Sequence, residues 1–312
     1  MGYNILVTGG AGYIGSVMVP ELLKQGHQVT VLDNFMYRQN SLAHVCNEAS
    51  FNIVNGDIRL KEIIKPFLDK ADIIIPLAAY VGAPICSKDP IGATSVNKDA
   101  IKMMLKLLSQ DQKILMPTTN SAYGSGDEDN YCTEESELKP ISQYAIEKVE
   151  IEKELLTHGQ AISFRLATVF GMSLKMRIDL LVNDFTYRAV NDRFVVLFES
   201  HFKRNYLHVR DVARAFIHGI DNFDAMKGEI YNVGLSDTNI SKKELCERIQ
   251  KYLPEFTFLE EELGKDPDQR NYIVSNEKIE KTGFKTKYSL DDGIKELIKG
   301  FEMIKQYGYS NV

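Results

Sequence analysis

Short apolar runs separated by amphipathic stretches recur through the first half of the chain. Ile5-Leu6-Val7 reads as a buried strand, and beyond Gly12 apolar side chains (Ile14, Val17, Met18, Leu22, Leu23) return at three- and four-residue steps, the period of a helix. Further runs follow at Val29 to Leu32, Phe51 to Val54, Asp72 to Leu77, Lys113 to Met116 and Ile162 to Leu166. Helical patterns lie between them: one through Ile63, Ile64 and Phe67, and a long one from about Pro90 to Leu108 with Val96, Ile101, Met104, Leu105 and Leu108 on its apolar side. Pro140-Ile141-Ser142 opens another, capped by Ser142 and running through Glu154. Strand and helix in alternation predict an α/β fold with a parallel, doubly wound sheet. From Gly171 the rhythm changes, leaving a short strand (Ile230 to Val233) and two amphipathic helices.

The first strand ends in glycines. Gly9, Gly12 and Gly15, with Gly10 offering a second spacing, satisfy the dinucleotide fingerprint of a Rossmann fold. One glycine makes the tight turn, one admits a pyrophosphate to the backbone N–H groups, and one lets helix and strand pack closely. The helix start then presents unpaired donors and partial positive charge to the phosphates. The second apolar run ends in Asp33, placed to accept from an adenosine ribose, and no basic residue directly follows it, which favours NAD over NADP.

Composition narrows the setting. At 312 residues, 44% hydrophobic and 26% charged, the chain is an ordinary globular protein, and its net charge of −6 gives no reason to expect a nucleic-acid partner. Its four cysteines, at 46, 86, 132 and 246, have neither metal-ligand nor disulfide-framework spacing, so no metal and a reducing compartment are expected. No secretory signal precedes the first strand, Leu6 spoils a myristoylation motif, and the apolar stretch 71–85 is too short and proline-broken to span a bilayer. The expectation is a soluble, cytoplasmic protein with no membrane partner. The acids Asp127, Glu128, Asp129, Glu134, Glu135 and Glu137 read as a solvated loop. Between residues 171 and 214, by contrast, eight basic residues face five acids, a local reversal suited to an anionic ligand such as a nucleotide diphosphate.

Candidate chemistry sits on the predicted helix after Ser142. Tyr144 and Lys148 are four residues apart and share one helix face. An ammonium beside a phenol favours phenolate, so Tyr144 is a candidate base near neutral pH, and Lys148 could also hold a nicotinamide ribose. Upstream, Thr118-Thr119-Asn120-Ser121 places hydroxyls at a strand's C-terminal edge. They can meet a substrate hydroxyl or cap their own backbone.

Taken together these motifs resemble the extended short-chain dehydrogenase/reductases of the NAD-dependent epimerase/dehydratase type, over nearly the whole chain. The carrying segments are Thr8 to Ser16, Asp33-Asn34, Gly56-Asp57-Ile58-Arg59, Leu77-Ala78-Ala79, Asn97, Thr119 to Gly124, Tyr144 with Lys148, and Arg204 to Ala213. The resemblance implies NAD as cofactor, held by Gly9, Gly12, Tyr13, Ile14, Gly15, Asp33, Asn34, Asp57, Ile58, Leu77, Ala78, Ala79, Asn97, Tyr144 and Lys148. Asp57 and Ile58 would flank the adenine, and Asn97 would hold the cofactor loop. It implies Tyr144 as base with Thr119 as its hydroxyl partner, opening with oxidation at C4 of a nucleotide-linked sugar. Arg204 and Arg270 would grip the diphosphate, and Asn183, Arg177, Asn120 and Ser121 would line the sugar-nucleotide cleft. It further implies a nucleotide-binding portion of residues 1–170 and 205–233, a smaller mixed α/β substrate-binding portion of residues 171–204 and 234–312, and a homodimer paired through the Tyr144 helix and the helix before Leu108.

One departure narrows the reaction. Family 4,6-dehydratases carry an acid two residues before the motif tyrosine, here Tyr123; this chain has Ser121 there, and Asn120 before it. Neither side chain is a competent acid or base at neutral pH, so dehydration is disfavoured. Net 4-dehydrogenation or 4-epimerisation remain. The segment Met176 to Ala189 and Asn120-Ser121 look most like the branch with GDP-heptose 4-dehydrogenases of bacterial capsule synthesis, which favours release of a 4-keto sugar, with a 4-epimerase as the alternative.

Overall fold

The alternating runs form β1 (Asn4–Thr8), β2 (Gln28–Asp33), β3 (Phe51–Asn55), β4 (Ile73–Pro76), β5 (Lys113–Thr119) and β6 (Ala161–Leu166) in a computed structural model that describes residues 2–125, 131–261 and 270–304. With Glu229–Val233 they make one parallel seven-stranded sheet, ordered β3, β2, β1, β4, β5, β6 and then Glu229–Val233. The chain winds outward from β1 in one direction as far as β3, then returns to β4 on the other side of β1, pairing Val7 with Ile75 where β2 pairs Val7 with Val31. The strand order thus reverses between β1 and β4, and open α/β sheets bind ligands at the carboxyl ends of the strands at such a point.

Both faces of the sheet are covered, so its strands are apolar on both sides. Ile5, Val7, Val31 and Ile75 pack with Met18, Leu22 and Phe216 on one face. Leu6, Leu32 and Ile74 pack with Met104, Ile151 and Leu155 on the other. β5 runs three residues beyond the apolar stretch that announced it, through Pro117. It pairs with β4 only at Lys113 and Ile114, so farther along that edge is open. A proline without an N–H fits such a gap, and its carbonyl is left to accept from Lys148 Nζ at 3.3 Å.

The helix predicted from Pro90 to Leu108 is continuous but not uniform. An α segment (Pro90–Thr94) passes through a π segment (Ser95–Asp99) into a second α segment (Ala100–Leu107). Beyond residue 170, helices Leu181–Asn191, Lys242–Gln250 and Leu290–Met303 enclose a second core of Val182, Phe185, Leu245, Ile249, Leu297 and Phe301. Phe194–Phe198 pairs in parallel with Thr257–Glu261, and Lys203–Arg204 pairs antiparallel with Ile240–Ser241. Helix Val209–Asp221 and strand Glu229–Val233 return to the large sheet.

Two charge expectations change. The basic excess of residues 171–214 is not an open cationic surface: Arg177, Arg188, Arg193, Arg210 and Arg214 each lie against a carboxylate. Glu134, expected in a solvated loop, accepts from the backbone N–H of Asn232 at 2.7 Å and ties its loop to the sheet. Asp127, Glu128 and Asp129 lie outside the described residues. Among the described residues no helix is long and apolar enough to cross a membrane.

Candidate active site

The site begins at the turn after β1. A Cβ on Gly9 would meet the backbone N of Ala78 at 2.5 Å, and one on Gly15 would meet the carbonyl of Gly10 at 2.3 Å. Both are excluded by close approach of backbone. At Gly12 the nearest atom is the Gly9 carbonyl, at 3.1 Å, and no other atom lies within 4 Å. That open side, at the entrance to helix α1 (Gly15–Lys24), is the cradle a side chain would fill, and it suits a pyrophosphate against backbone N–H groups. Asp33 fits the adenosine ribose of the same dinucleotide. Its carboxylate is oriented by the N–H groups of Ala11 (3.0 Å) and Phe35 (2.9 Å) and by Gln39 (3.3 Å), while burial raises its pKa against those bonds. Asn34 caps the same loop through the N–H of Met36 at 3.1 Å.

Farther along the strand ends, Asp57 is engaged by Arg59, whose Nε and Nη2 lie 3.0 and 2.5 Å from its oxygens, and that pairing holds its carboxyl below the usual range. Ile58 is buried beside it, and Leu77, Ala78 and Ala79 are half-buried after β4. Asn97 clamps that loop. Its Oδ1 accepts from the N–H of Tyr80 at 2.8 Å and its Nδ2 donates to the Tyr80 carbonyl at 3.0 Å. It sits in the π segment, whose extra residue per turn redirects a side chain that a regular helix would aim elsewhere.

The helix that carries Tyr144 runs from Gln143 to Leu156, with Ser142 Oγ accepting from the N–H of Ala145 at 3.2 Å. Lys148 is buried on it, and its Nζ lies 5.9 Å from the centre of the Tyr144 ring. The expected partnership is different in kind. Burial brings the Lys148 ammonium down to about 8. Burial also pushes the Tyr144 phenol up to about 12, and the charges that pull it back are those of Arg177 and Arg270, not Lys148. The phenol is therefore protonated at neutral pH, because desolvation of the phenolate outweighs those two arginines.

Thr119 stands at the end of β5 and caps the short 3₁₀ turn Asn120–Tyr123. Its Oγ1 accepts from the N–H of Ser121 at 3.1 Å and donates to Ser121 Oγ at 2.9 Å. Arg270 donates to that same Ser121 oxygen, so Arg270, Ser121 and Thr119 form one chain of hydrogen bonds.

Three residues expected to face the sugar nucleotide are enclosed instead. Asn183 is fully buried: its Oδ1 accepts from Gly171 N at 3.0 Å, and its Nδ2 donates to Tyr13 Oη at 3.2 Å and to the Arg177 carbonyl at 2.8 Å. Both its N–H bonds are used inside the protein. Arg204 is buried with its guanidinium 5.6 Å from the centre of the Tyr272 ring and donates to the Lys203 carbonyl at 3.0 Å. Asn120 has no exposed surface, because the 3₁₀ turn folds its side chain inward, and neither polar atom of its carboxamide has a hydrogen-bond partner. Arg177, nearly buried, pairs with Asp179 and donates to the Val81 carbonyl at 3.3 Å, which brings its charge to the loop after β4.

The sequence profile of the NAD dependent epimerase/dehydratase family matches residues 5–234. The chain belongs to this family. Among its relatives, the low-salt glycan biosynthesis protein Agl12 of Haloferax volcanii is 26% identical over 310 residues, covering 95% of this chain and 97% of that protein. A UDP-N-acetyl-alpha-D-glucosaminuronate decarboxylase of Bacillus cytotoxicus is 26% identical over 334 residues, covering 96% and 98%. Among solved structures, dTDP-glucose 4,6-dehydratase of Bacillus anthracis in complex with NAD superposes with a TM-score of 0.83 at 23% identity, covering 99% of this chain and 98% of that one. At that identity the likeness shows the fold. A family of NAD-dependent enzymes acting on nucleotide sugars agrees with the glycine cradle and the oriented Asp33.

Within this family member, sequence reasoning passed over one buried network. Glu152, two helical turns beyond Tyr144, accepts from Thr118 Oγ1 (2.9 Å), Ser163 Oγ (2.7 Å) and Arg165 Nη2 (2.6 Å). Arg165 reaches on to Tyr123 Oη at 3.0 Å, and Tyr123 donates to Asn232 Oδ1 at 2.7 Å. The network bolts the Tyr144 helix to β5, β6 and the 3₁₀ turn that follows Thr119. Two signals were visible: Glu152 stands four residues after Lys148, and Arg165 interrupts an apolar strand.

Proposed function

We propose that this protein oxidises C4 of a nucleotide-linked sugar with NAD and releases a 4-keto product, a 4-dehydrogenase reaction. The observation that supports oxidation without dehydration is the turn after β5: between Thr119 and Gly124 it holds Asn120, Ser121, Ala122 and Tyr123, and no carboxylate, while release rather than epimerisation rests on the likeness of Asn120-Ser121 and residues 176–189. Tyr144 and Thr119 supply what C4 oxidation needs, and nothing in that turn supplies the acid or base that would move the C5 and C6 protons of a dehydration.

In this reading Tyr144 acts as the phenolate, its own proton released to solvent where the charge of the bound cofactor and of Arg177 and Arg270 would lower its pKa, and its Oη then takes the proton of the C4 hydroxyl while the C4–H bond breaks and a C4 carbonyl forms. Bound NAD would supply the hydride acceptor and, when oxidised, a positive ring charge. Arg177 and Arg270 add to the positive field at the phenol, the direction in which a tyrosine of raised pKa must be pulled to act as a base. Thr119 would turn its hydroxyl from Ser121 to the sugar oxygen, and Arg270 would contact the diphosphate. Asn183 and Arg204 are assigned to holding the walls of the site, since their side chains are enclosed.

The finer identity proposed for the substrate is GDP-D-glycero-alpha-D-manno-heptose, on the likeness of residues 176–189 noted above, with a homodimer as the assembly. Incubation with that compound, GDP-mannose and UDP-glucose, followed by nicotinamide absorbance and by NMR of the sugar, tests the reading. A 4-keto sugar formed together with reduced cofactor supports it. A C4 epimer with no net change in cofactor redox state would instead identify a 4-epimerase and overturn it.

A further inference from the structure

Tyr13 follows the last open position of the glycine turn, yet its side chain leaves that turn and is buried against the loop that opens at Gly171. Its hydroxyl donates to the Gly171 carbonyl at 2.7 Å and accepts from Asn183 Nδ2 at 3.2 Å. Burial pushes its phenol up, so the donor proton stays in place. Two further bonds run alongside: Ser173 Oγ donates to the Tyr13 carbonyl at 2.8 Å and lies 2.7 Å from Ser16 Oγ. The same Asn183 holds the carbonyl of Arg177 at 2.8 Å, and Arg177 reaches the carbonyl of Val81. Within a few bonds, the backbone that forms the phosphate cradle is joined to the segment that aims a positive charge at Tyr144.

We propose that Tyr13, Ser173 and Asn183 form a latch that couples occupancy of the glycine turn to the position of residues 171–183, so that cofactor and sugar nucleotide bind cooperatively. These are positioning residues. None needs to touch the sugar, because filling the cradle restrains the Tyr13 backbone, and its side chain passes that restraint to Gly171, Asn183 and Arg177. Linkage makes the effect reciprocal: whatever seats Arg177 tightens the cradle by the same factor. The proposal rests on the reading that the glycine turn holds a dinucleotide.

Hydrogen–deuterium exchange of the full chain, with and without saturating NAD, tests it without knowledge of the sugar. In the wild-type protein NAD slows exchange at residues 9–16 and, through the latch, by about fivefold or more at residues 171–183, the lower end of typical coupling between sites. In Tyr13→Phe, which keeps the ring and removes both hydroxyl bonds, protection at residues 171–183 is lost relative to that at residues 9–16, compared at NAD concentrations that saturate the variant. Ser173→Ala, which leaves the core packing alone, loses part of it. Equal protection of residues 171–183 in wild type and both variants would overturn the latch, as would a wild type in which only the glycine turn responds. A protein in which NAD protects neither segment would instead overturn the cofactor reading on which the latch stands.

Discussion

The guanidinium of Arg270 donates to the hydroxyl of Ser121, which in turn accepts from Thr119. A cation from the distal part of the chain thus ends on the side chain beside the candidate hydroxyl partner of the base. If Arg270 holds the diphosphate as proposed, Arg270→Gln raises KM for the nucleotide sugar by about tenfold or more, the loss of one charge-assisted hydrogen bond of about 1.5–3 kcal/mol. Arg270→Lys recovers only part, because an ammonium lacks the planar fork. Ser121→Ala changes KM little. Steady-state kinetics on the three variants separates a ligand contact from a capping contact, for which Ser121→Ala and Arg270→Gln would cost the same.

Tyr144→Phe removes the only proton acceptor assigned to the C4 hydroxyl. Turnover falls by about 10²–10⁴-fold, the usual contribution of general acid–base catalysis. NAD binding, followed by isothermal titration calorimetry, stays within about threefold of wild type, since the ring still fills its place. Near-normal turnover would remove Tyr144 from the base role.

Lys148 makes a prediction for stability against pH. Its ammonium is charged at neutral pH in both states but titrates at about 8 when folded and at 10.5 when unfolded. Between those values the unfolded chain binds the extra proton, so this group makes the fold more stable as pH rises from 8 to 10.5 and less stable as pH falls back. The full shift corresponds to about 3 kcal/mol. Urea unfolding of wild type and Lys148→Met at pH 7.5 and pH 10 checks it. The variant is the more stable at pH 7.5 relative to wild type than it is at pH 10, and a pH-independent difference would refute the depressed pKa.

Glu152 and Arg165 are both about 3% exposed, so truncating one leaves the other charge buried without its partner. Glu152→Leu costs about 3–5 kcal/mol, and the double change Glu152→Leu with Arg165→Met returns much of it. Because the same carboxylate fixes the Tyr144 helix, the double variant regains stability without regaining turnover. Denaturant melts and kcat, measured together, distinguish this from a purely structural pair, for which both recover.

How much of this could be read from the chain depended on the distance over which each feature is determined. The glycine turn, Asp33 and the Tyr144–Lys148 spacing are local, and local periodicity places them on strand ends and on a helix face. The Glu152 network needs β5, β6 and the helix in register at once, which no window of sequence contains. The family resemblance places Asn183 and Arg204 at the sugar-nucleotide cleft. Residue type does not say whether a polar side chain faces ligand or satisfies buried backbone, and in this fold both are enclosed. Burial adds a second effect to the Tyr144–Lys148 pair, raising the phenol and lowering the ammonium. Spacing predicts a shared face, while burial, which depends on the whole fold, decides which protonation state each group prefers.

The π segment at Ser95–Asp99 amounts to one surplus residue carried inside an otherwise regular helix. Removing a single residue there would let the helix close into uniform α turns. The same repair would remove the widened turn that directs Asn97 at the loop after β4. Asn97 would turn away from Tyr80 and its two bonds to that residue would be lost. The irregularity is a lasting local cost, and what it secures is the shape of the loop after β4.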